Sequence, residues 1–322
     1  MNGLLSELGK KLAERWLSLL VLPGALFLGV LAAGRELGHA RWYALGTLPA
    51  LLDRRAGTVT GSGAELLLFL LAFLLAAAAC GLAAQAVGSL AERLWLADHW
   101  QAWPAVTHRA VRGLIARRER LFRRRRIETG LAVATTENAS RPAETDHEVA
   151  VSAARLRRVA DATPERPTWT GDRLAGVAAR LSTGLGVQVA VVWPHLWLHV
   201  PDSTRAEITA ARDGMVRAAT LAGWSLLYLA AAAVWWPAAL VACAVAQTAR
   251  HRFRTATDAY ATLVESAVRL HVQDLGRALG IGRRGPLTAA HGEALTAYLA
   301  HGTDPPAHLL LPSDADGPPA QP

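Results

Sequence analysis

The sequence predicts an all-α, polytopic membrane protein: four transmembrane helices, arranged two plus two, with a helical cytoplasmic region between the second and third. Three observations predict it. The apolar residues are gathered into blocks, the basic residues cluster on one side of those blocks, and a proline with flanking tryptophans divides the last block in two. Composition alone would not separate the classes. The chain has 322 residues, 34 Lys plus Arg against 26 Asp plus Glu, and 52% hydrophobic residues, only slightly above the roughly 45 to 50% of soluble domains. Distribution decides. Residues 17–34, 64–91 and 218–247 contain no Lys or Arg and a single carboxylate, Glu65, and about 18 or more consecutive apolar residues read as a membrane span.

Residues 1–16 place Leu4, Leu5, Leu8, Leu12 and Trp16 on one helical face and Lys10, Lys11 and Glu14 mostly on the other, the pattern of an interfacial amphipathic helix. The first transmembrane helix follows at 17–34, with a kink expected at Pro23 and Gly24, because proline withdraws a backbone donor. Ala32, Ala33 and Gly34 also admit a rival reading of this block as a cleaved signal peptide. Residues 35–63 form an extracytoplasmic loop. The second transmembrane helix, 64–91, carries small residues at Ala77, Gly81, Ala84 and Gly88, which let helices approach closely. Gln85 is its strongly polar interior residue and is expected to make an interhelical hydrogen bond.

The third block is too long for one crossing and short for two. Trp235, Trp236 and Pro237 resolve it, since a proline after paired tryptophans puts a helix stop where an interfacial aromatic belt belongs. Residues 205–254 then form a transmembrane hairpin, with helices 3 and 4 near 216–234 and 237–254. The helix entering it is expected to start at a capping box, Thr204 with Glu207. Orientation follows from charge. Lys10, Lys11, Arg15, Arg93, Arg109, Arg112, Arg205, Arg212, Arg217, Arg250, Arg252, Arg254 and Arg269 lie on one side, 13 in all, against 4 in the outer loop, Arg35, Arg41, Arg54 and Arg55. Thirteen against four places both termini in the cytoplasm of a multi-pass protein of the cell's inner, or plasma, membrane.

The cytoplasmic helical region, 92–204, opens with a helix running to Arg126 that Pro104 should bend. Its arginines Arg117, Arg118, Arg120, Arg123, Arg124, Arg125 and Arg126 are candidates for binding anionic lipid headgroups or a cytoplasmic protein partner. Nucleic acid is disfavoured, because no nucleic-acid fold motif accompanies them. Residues 129–150, rich in Ala, Thr and Glu without an aromatic residue, are expected to be a mobile linker. A short helical piece near 151–161 precedes Pro167-Thr168-Trp169-Thr170-Gly171-Asp172-Arg173, a turn offering several caps to a helix with Leu174, Val177, Ala178 and Leu181 as its buried stripe, ended by Gly184 and Gly186.

The stretch Trp193-Pro194-His195-Leu196-Trp197-Leu198-His199-Val200-Pro201 is expected to be a rigid element at headgroup level, with Trp193 and Trp197 among the lipid or partner contacts. His195 and His199 lack a third candidate ligand nearby, so an interfacial role is favoured over metal binding. Residues 255–301 form C-terminal cytoplasmic helices with a stripe of Phe253, Ala256, Tyr260, Leu263, Ala267 and Leu270. The proline-rich tail 302–322 is expected to be disordered. Two cysteines, Cys80 and Cys243, both lie within apolar blocks, which leaves no thiolate metal site or disulfide framework in the aqueous parts.

Four of these stretches, Lys11 to Leu17, Pro167 to Arg173, Trp193 to Leu198 and Trp235 to Ala238, resemble a family of uncharacterised, chiefly actinobacterial integral membrane proteins. That family combines PTWxGDR and WPxLWL motifs. The likeness covers most of the chain outside 129–150 and the tail. One departure is Ser182-Thr183-Gly184-Leu185-Gly186, where the family pattern is of the Arg-Tyr-Gly-Leu-Asp type. The resemblance implies architecture and no activity.

No nucleophile elbow, phosphate loop, histidine and carboxylate cluster or zinc motif is present, so neither an enzyme nor a cofactor is expected. The spans carry no ionisable group at their centres, which disfavours proton-coupled transport. Two functional readings remain. The favoured one is a non-enzymatic membrane-anchored scaffold or signalling component whose Trp-rich and Arg-rich faces bind a partner or anionic lipid. The alternative is a homo-oligomeric anion channel, because the two plus two layout is similar to that of the bestrophins, with Ser89, Thr220 and Ser225 lining a pore.

Overall fold

The computed structural model describes residues 21–39, 63–97, 100–102, 104–137, 142–157, 159–160, 163–282 and 287–310. The expected amphipathic helix 1–16, most of the outer loop and the tail beyond 310 lie outside these residues. Among them the chain is all-helical: α1 Leu22–Leu37, α2 Gly63–Leu96, α3 Ala105–Glu137, α4 Pro142–Arg157, α5 Trp169–Leu185, α6 Val189–His199, α7 Asp202–Ala231, α8 Pro237–Ala278 and α9 Ala289–His301. Helix α2 alone is long and apolar enough to cross a membrane. The pair α5 and α6, bent by 88° at their junction, passes the same test only if taken as one span. The apolar side chains of that pair, Val177, Leu181, Val192 and Leu196, are buried in a core with residues of α8 and α9.

The contacts divide the chain into two units, residues 1–94 with 214–253, and residues 95–213 with 254–322. In the first unit the four buried residues of α2 are Ala77, Gly81, Ala84 and Gly88. They face small residues. A Cβ placed on Gly223 of α7 would stand 1.9 Å from the Ala84 carbonyl oxygen, and one on Gly88 would stand 2.7 Å from the Ala219 carbonyl oxygen. The two backbones therefore touch where side chains would otherwise hold them apart, which is how helices gain dispersion contact without a hydrophobic driving force. Phe27 of α1 fills the remaining space against Trp224 and Tyr228, at ring separations of 6.1 and 5.3 Å, with Ala231, Ala238 and Ala242 completing the cluster. Pro23 lies in the first turn of α1, where its missing donor costs nothing within the helix. The turn 232–236 and the start of α8 at Pro237 give the hairpin its corner. Gln85, expected to make an interhelical hydrogen bond, is exposed and makes none to the described helices.

In the second unit, α3 and α4 pack on each other. The stretch 129–150, expected as a mobile linker, is thus a correction: residues 129–137 complete α3 and 142–150 begin α4. Alanine and glutamate are good helix formers, and this outweighs the lack of aromatic residues. The helix before it is broken rather than bent, with α2 ending at Leu96 and α3 starting at Ala105. Helix α7 begins at Asp202, so Thr204 lies inside it and caps nothing. Helix α8 buries Thr257, Ala261, Val268, Val272 and, less completely, Val264 and Leu275, while Leu270 is 70% exposed. Of the predicted stripe, Phe253 and Ala267 are buried and Ala256, Tyr260 and Leu263 partly so, and the buried face extends one residue round the helix to Thr257, Ala261, Val264 and Val268.

Helix α5 ends in an αL cap. Gly186 has φ of +67° and its N–H bonds the Ser182 carbonyl, while Val187 N–H reaches the Leu181 carbonyl at 3.3 Å. A Cβ at Gly186 would lie 2.1 Å from the Ala289 carbonyl oxygen, so no side chain has room against α9 here. Thr296 of α9 fastens the same corner, donating to the Gly292 carbonyl and accepting from Gln188 N–H at 3.2 Å. The tail is held through residue 310. Gly282 N–H bonds the Leu309 carbonyl at 3.0 Å beside an Ile281–Leu310 bridge, which corrects the expectation of disorder from 302 onward.

Candidate functional site

Helix α3 is the one strongly basic surface element that the sequence points to, and its geometry separates its arginines into two groups. Consecutive residues of a helix differ by about 100° in direction, so a run of arginines cannot face one way. Arg109, Arg117, Arg120 and Arg124 fall at helical steps on one exposed stripe that continues into Ile127 and Leu131. Ile127 and Leu131 are 64% and 62% exposed. Arg126 is also exposed. This stripe joins a basic half to an apolar half, an arrangement suited to an anionic interface.

Arg118 faces the other way, and its assignment to lipid or partner binding is corrected. Its side chain keeps only 15% exposure. One guanidinium nitrogen donates to the Arg166 and Thr168 carbonyls and to the Asp172 carboxylate, and the other donates to the Val159 carbonyl at 2.8 Å. Asp172 completes the clasp by accepting from the Glu165 and Arg166 N–H groups, at 3.1 and 2.8 Å. The clasp is built from the turn 167–173. Thr168 caps α5 by accepting from Gly171 N–H at 3.2 Å, and the hydroxyls of Thr168 and Thr170 both donate to the Trp95 carbonyl. Arg254 stacks 4.5 Å above the Trp169 ring. Arg173 pairs with Asp258 at 2.7 Å. The PTWTGDR segment is therefore a structural fastener, in which nearly every polar side chain holds another element of the unit.

Three arginines of the run 123–126 are partly neutralised. Arg123 pairs with Glu119 at 2.6 Å, while Arg124 and Arg125 share Glu128 at 3.3 and 2.7 Å. The Arg125 hydrogen bond, with Arg124 adding to it, holds the Glu128 carboxyl below its ordinary range. Exposed ion pairs of this kind contribute little to stability and exchange readily for other anions.

Trp193 and Trp197 stand with ring centroids 5.7 Å apart. Both are half-buried and pack on Ile208, Val264 and Ala267 beside Tyr260, so they hold α6 against α7 and α8. The half of each ring that faces out is what remains for the lipid or partner contact expected of them. Leu198, between them in sequence, is 78% exposed. Burial pushes the Tyr260 hydroxyl up, and Arg212 partly counters this. His195 and His199 are exposed, and among the described residues no group of three or more His, Cys, Asp or Glu could hold a metal.

Ser89 is exposed and Ser225 is buried, each donating to a carbonyl three residues back in its own helix, and Thr220 donates to Val216 at 3.0 Å. Arg120 stands with Arg117 in the sequence reading, but sequence reasoning missed Arg109 as a member of the exposed stripe, and Asp172 as the partner of Arg118. A helical wheel drawn from Arg109 reveals the first. The second depends on a contact between residues 54 positions apart, which no local pattern carries. No protein-family model matches this chain, and no curated protein or solved structure is similar to it.

Proposed function

We propose that this protein is a non-enzymatic, multi-pass membrane scaffold whose helix α3 binds anionic lipid headgroups through its exposed arginine stripe. In this reading α1, α2, α7 and α8 supply the four spans, both termini are cytoplasmic in the plasma membrane, and the second unit is the cytoplasmic module. The apolar length of α2, the small-residue packing of α1, α2 and α7, and the 13 to 4 charge asymmetry support the topology. The single observation that carries the binding role is the continuity of Arg109, Arg117, Arg120 and Arg124 with exposed Ile127 and Leu131. Basic residues near a membrane gain about 1 kcal/mol each from an anionic leaflet, and apolar neighbours add insertion.

The test is hydrogen exchange across α3 with the full chain in nanodiscs of phosphatidylcholine alone or with phosphatidylglycerol added. Protection of α3 that grows with phosphatidylglycerol, falls with salt and disappears in Arg117→Ala/Arg120→Ala/Arg124→Ala is expected. Equal exchange in both lipids overturns the binding role. Topology is checked with Thr58→Cys and Ser140→Cys in a background lacking Cys80 and Cys243. Position 58 should label from outside and position 140 only after permeabilisation, and the reverse pattern overturns the orientation.

A further inference from the structure

The outward side of α2 carries a feature that the scaffold reading does not use. Ala77, Gly81, Ala84 and Gly88 turn inward, which leaves Gln85, one residue and about 100° from Ala84, on the exposed side. Its amide makes no hydrogen bond among the described residues. The small hydroxyls of the same unit differ: Ser89, Thr220, Ser225 and Thr248 each donate to a carbonyl of their own helix, at 2.8, 3.0, 2.7 and 2.9 Å. Gln85 has two donors and an acceptor unspent. The Cα–Cβ bonds of a helix tilt toward its N-terminus, so the side chain leans away from the Glu92 end of α2 and toward its apolar middle. There, lipid offers it nothing to bond.

We propose that two copies of this chain pair through the outward face of α2, with the two Gln85 amides hydrogen-bonded to each other across a twofold axis. The inference rests on α2 being a membrane span. An amide is self-complementary, donor to acceptor and acceptor to donor, which is what an isologous contact requires of a residue lying on its axis. Ala78, Leu82, Gln85 and Ser89 follow one another at steps of four, three and four, the seam of a shallow left-handed helix crossing. Leu82 is 53% exposed and gives the seam its apolar contact. A second copy presents both a matching seam and a matching amide at the same depth.

Oxidative crosslinking of the full chain in membranes tests this, with Cys80 and Cys243 replaced by alanine and copper phenanthroline as the oxidant. Gln85→Cys and Leu82→Cys should give a covalent dimer, while Ala83→Cys, on an exposed side about 160° from Gln85, should not. In a dilution series read by energy transfer, Gln85→Leu should weaken association about tenfold, as expected for one interhelical polar contact, and Gln85→Asn should restore most of it. Alkaline carbonate extraction of the same membranes separates the two readings. Protein retained in the membrane with no crosslink at 82 or 85, or with equal crosslinking at 83, overturns the dimer alone. Protein released by carbonate overturns the span reading and the dimer together.

Discussion

Replacing Asp172 with alanine should open the start of α5 without disturbing the first unit, and the size of the effect can be worked from the clasp. Asp172 and Arg118 retain 12% and 15% side-chain exposure. Removing one member of a buried pair costs roughly 3 to 5 kcal/mol, because the other charge stays buried and unpaired. Here Arg118 keeps the Val159, Arg166 and Thr168 carbonyls as acceptors, which draws the value toward the lower end. The N–H groups of Glu165 and Arg166 also lose their acceptor; exposed Glu165 turns to water, while the half-buried Arg166 donor adds about 1 kcal/mol. The sum is about 4 kcal/mol. Since each 1.4 kcal/mol is tenfold, local opening in α5 should become roughly several hundredfold more frequent. Hydrogen exchange of the full chain in detergent reads this directly at Arg173 to Arg180. Asp172→Asn keeps one acceptor oxygen for the two backbone donors but still strands the Arg118 charge, so it should cost about 1 kcal/mol less than Asp172→Ala. The double variant Arg118→Ala/Asp172→Ala should be no worse than the worse single one, because neither charge is left stranded. Exchange in Asp172→Ala within threefold of the parent, or equal acceleration in α1, would refute the reasoning.

Three further outcomes follow from the same geometry. Gly186→Asp places a Cβ where only 2.1 Å separates it from the Ala289 carbonyl, in a left-handed conformation. It should loosen α9 by about 2 kcal/mol or more and expose residues 280–288 to protease, whereas Gly184→Ala, with nothing within 4 Å, should be neutral or slightly stabilising. Gly223→Leu should force α2 and α7 apart at Ala84 and abolish a monodisperse detergent peak, while Gly29→Ala, also with nothing within 4 Å, should leave it intact. Glu265 is held at about 2 by hydrogen bonds from Arg180 and then Arg269, against an ordinary value of 4.5. Its folded value is depressed, so the stability it contributes is present above about 4.5 and lost as pH falls toward 2. Solvent screening limits this to on the order of 1 kcal/mol. Thermal unfolding should decline across that window in the parent and less steeply in Glu265→Gln.

The helical class, the hairpin corner at Trp235 to Pro237 and the cap at Gly186 were legible because each rests on a local rule. Proline cannot continue a helix from its N-terminal side, and glycine reaches a left-handed φ at no steric cost. Small residues spaced by four and three along α2 were legible for a similar reason, since their periodicity marks one face. Periodicity also misled. The predicted stripe of α8 and the observed one overlap at Phe253 and Ala267 and part at Leu270, and the shift toward Ala261, Val268 and Val272 is made by Val177, Val192 and Leu295 across the core. The linker reading of 129–150 failed on the opposite ground: a segment without bulky residues still forms helix when its backbone propensity is high and a neighbouring helix supplies the packing surface.

The arginine-rich segment shows how far residue type can carry an argument before direction is known. Arg117 and Arg118 are neighbours with the same chemistry, yet one is exposed and the other is a half-buried tie between α3 and the turn before α5. Nothing local distinguishes them. The distinction comes from Asp172 and three backbone carbonyls, all brought in by the tertiary fold. The tryptophans of α6 repeat the lesson, because Trp193 and Trp197 at a spacing of four stack on one side of their helix and pack on Ile208 and Val264, leaving Leu198 outside. Gln85 is the converse case. Its neighbours turn it away from the other described helices, and under the proposed span reading an amide facing lipid is a stronger statement about a missing partner than any charge run. A charged side chain at an aqueous surface is satisfied by water, whereas an amide at bilayer depth is satisfied only by protein.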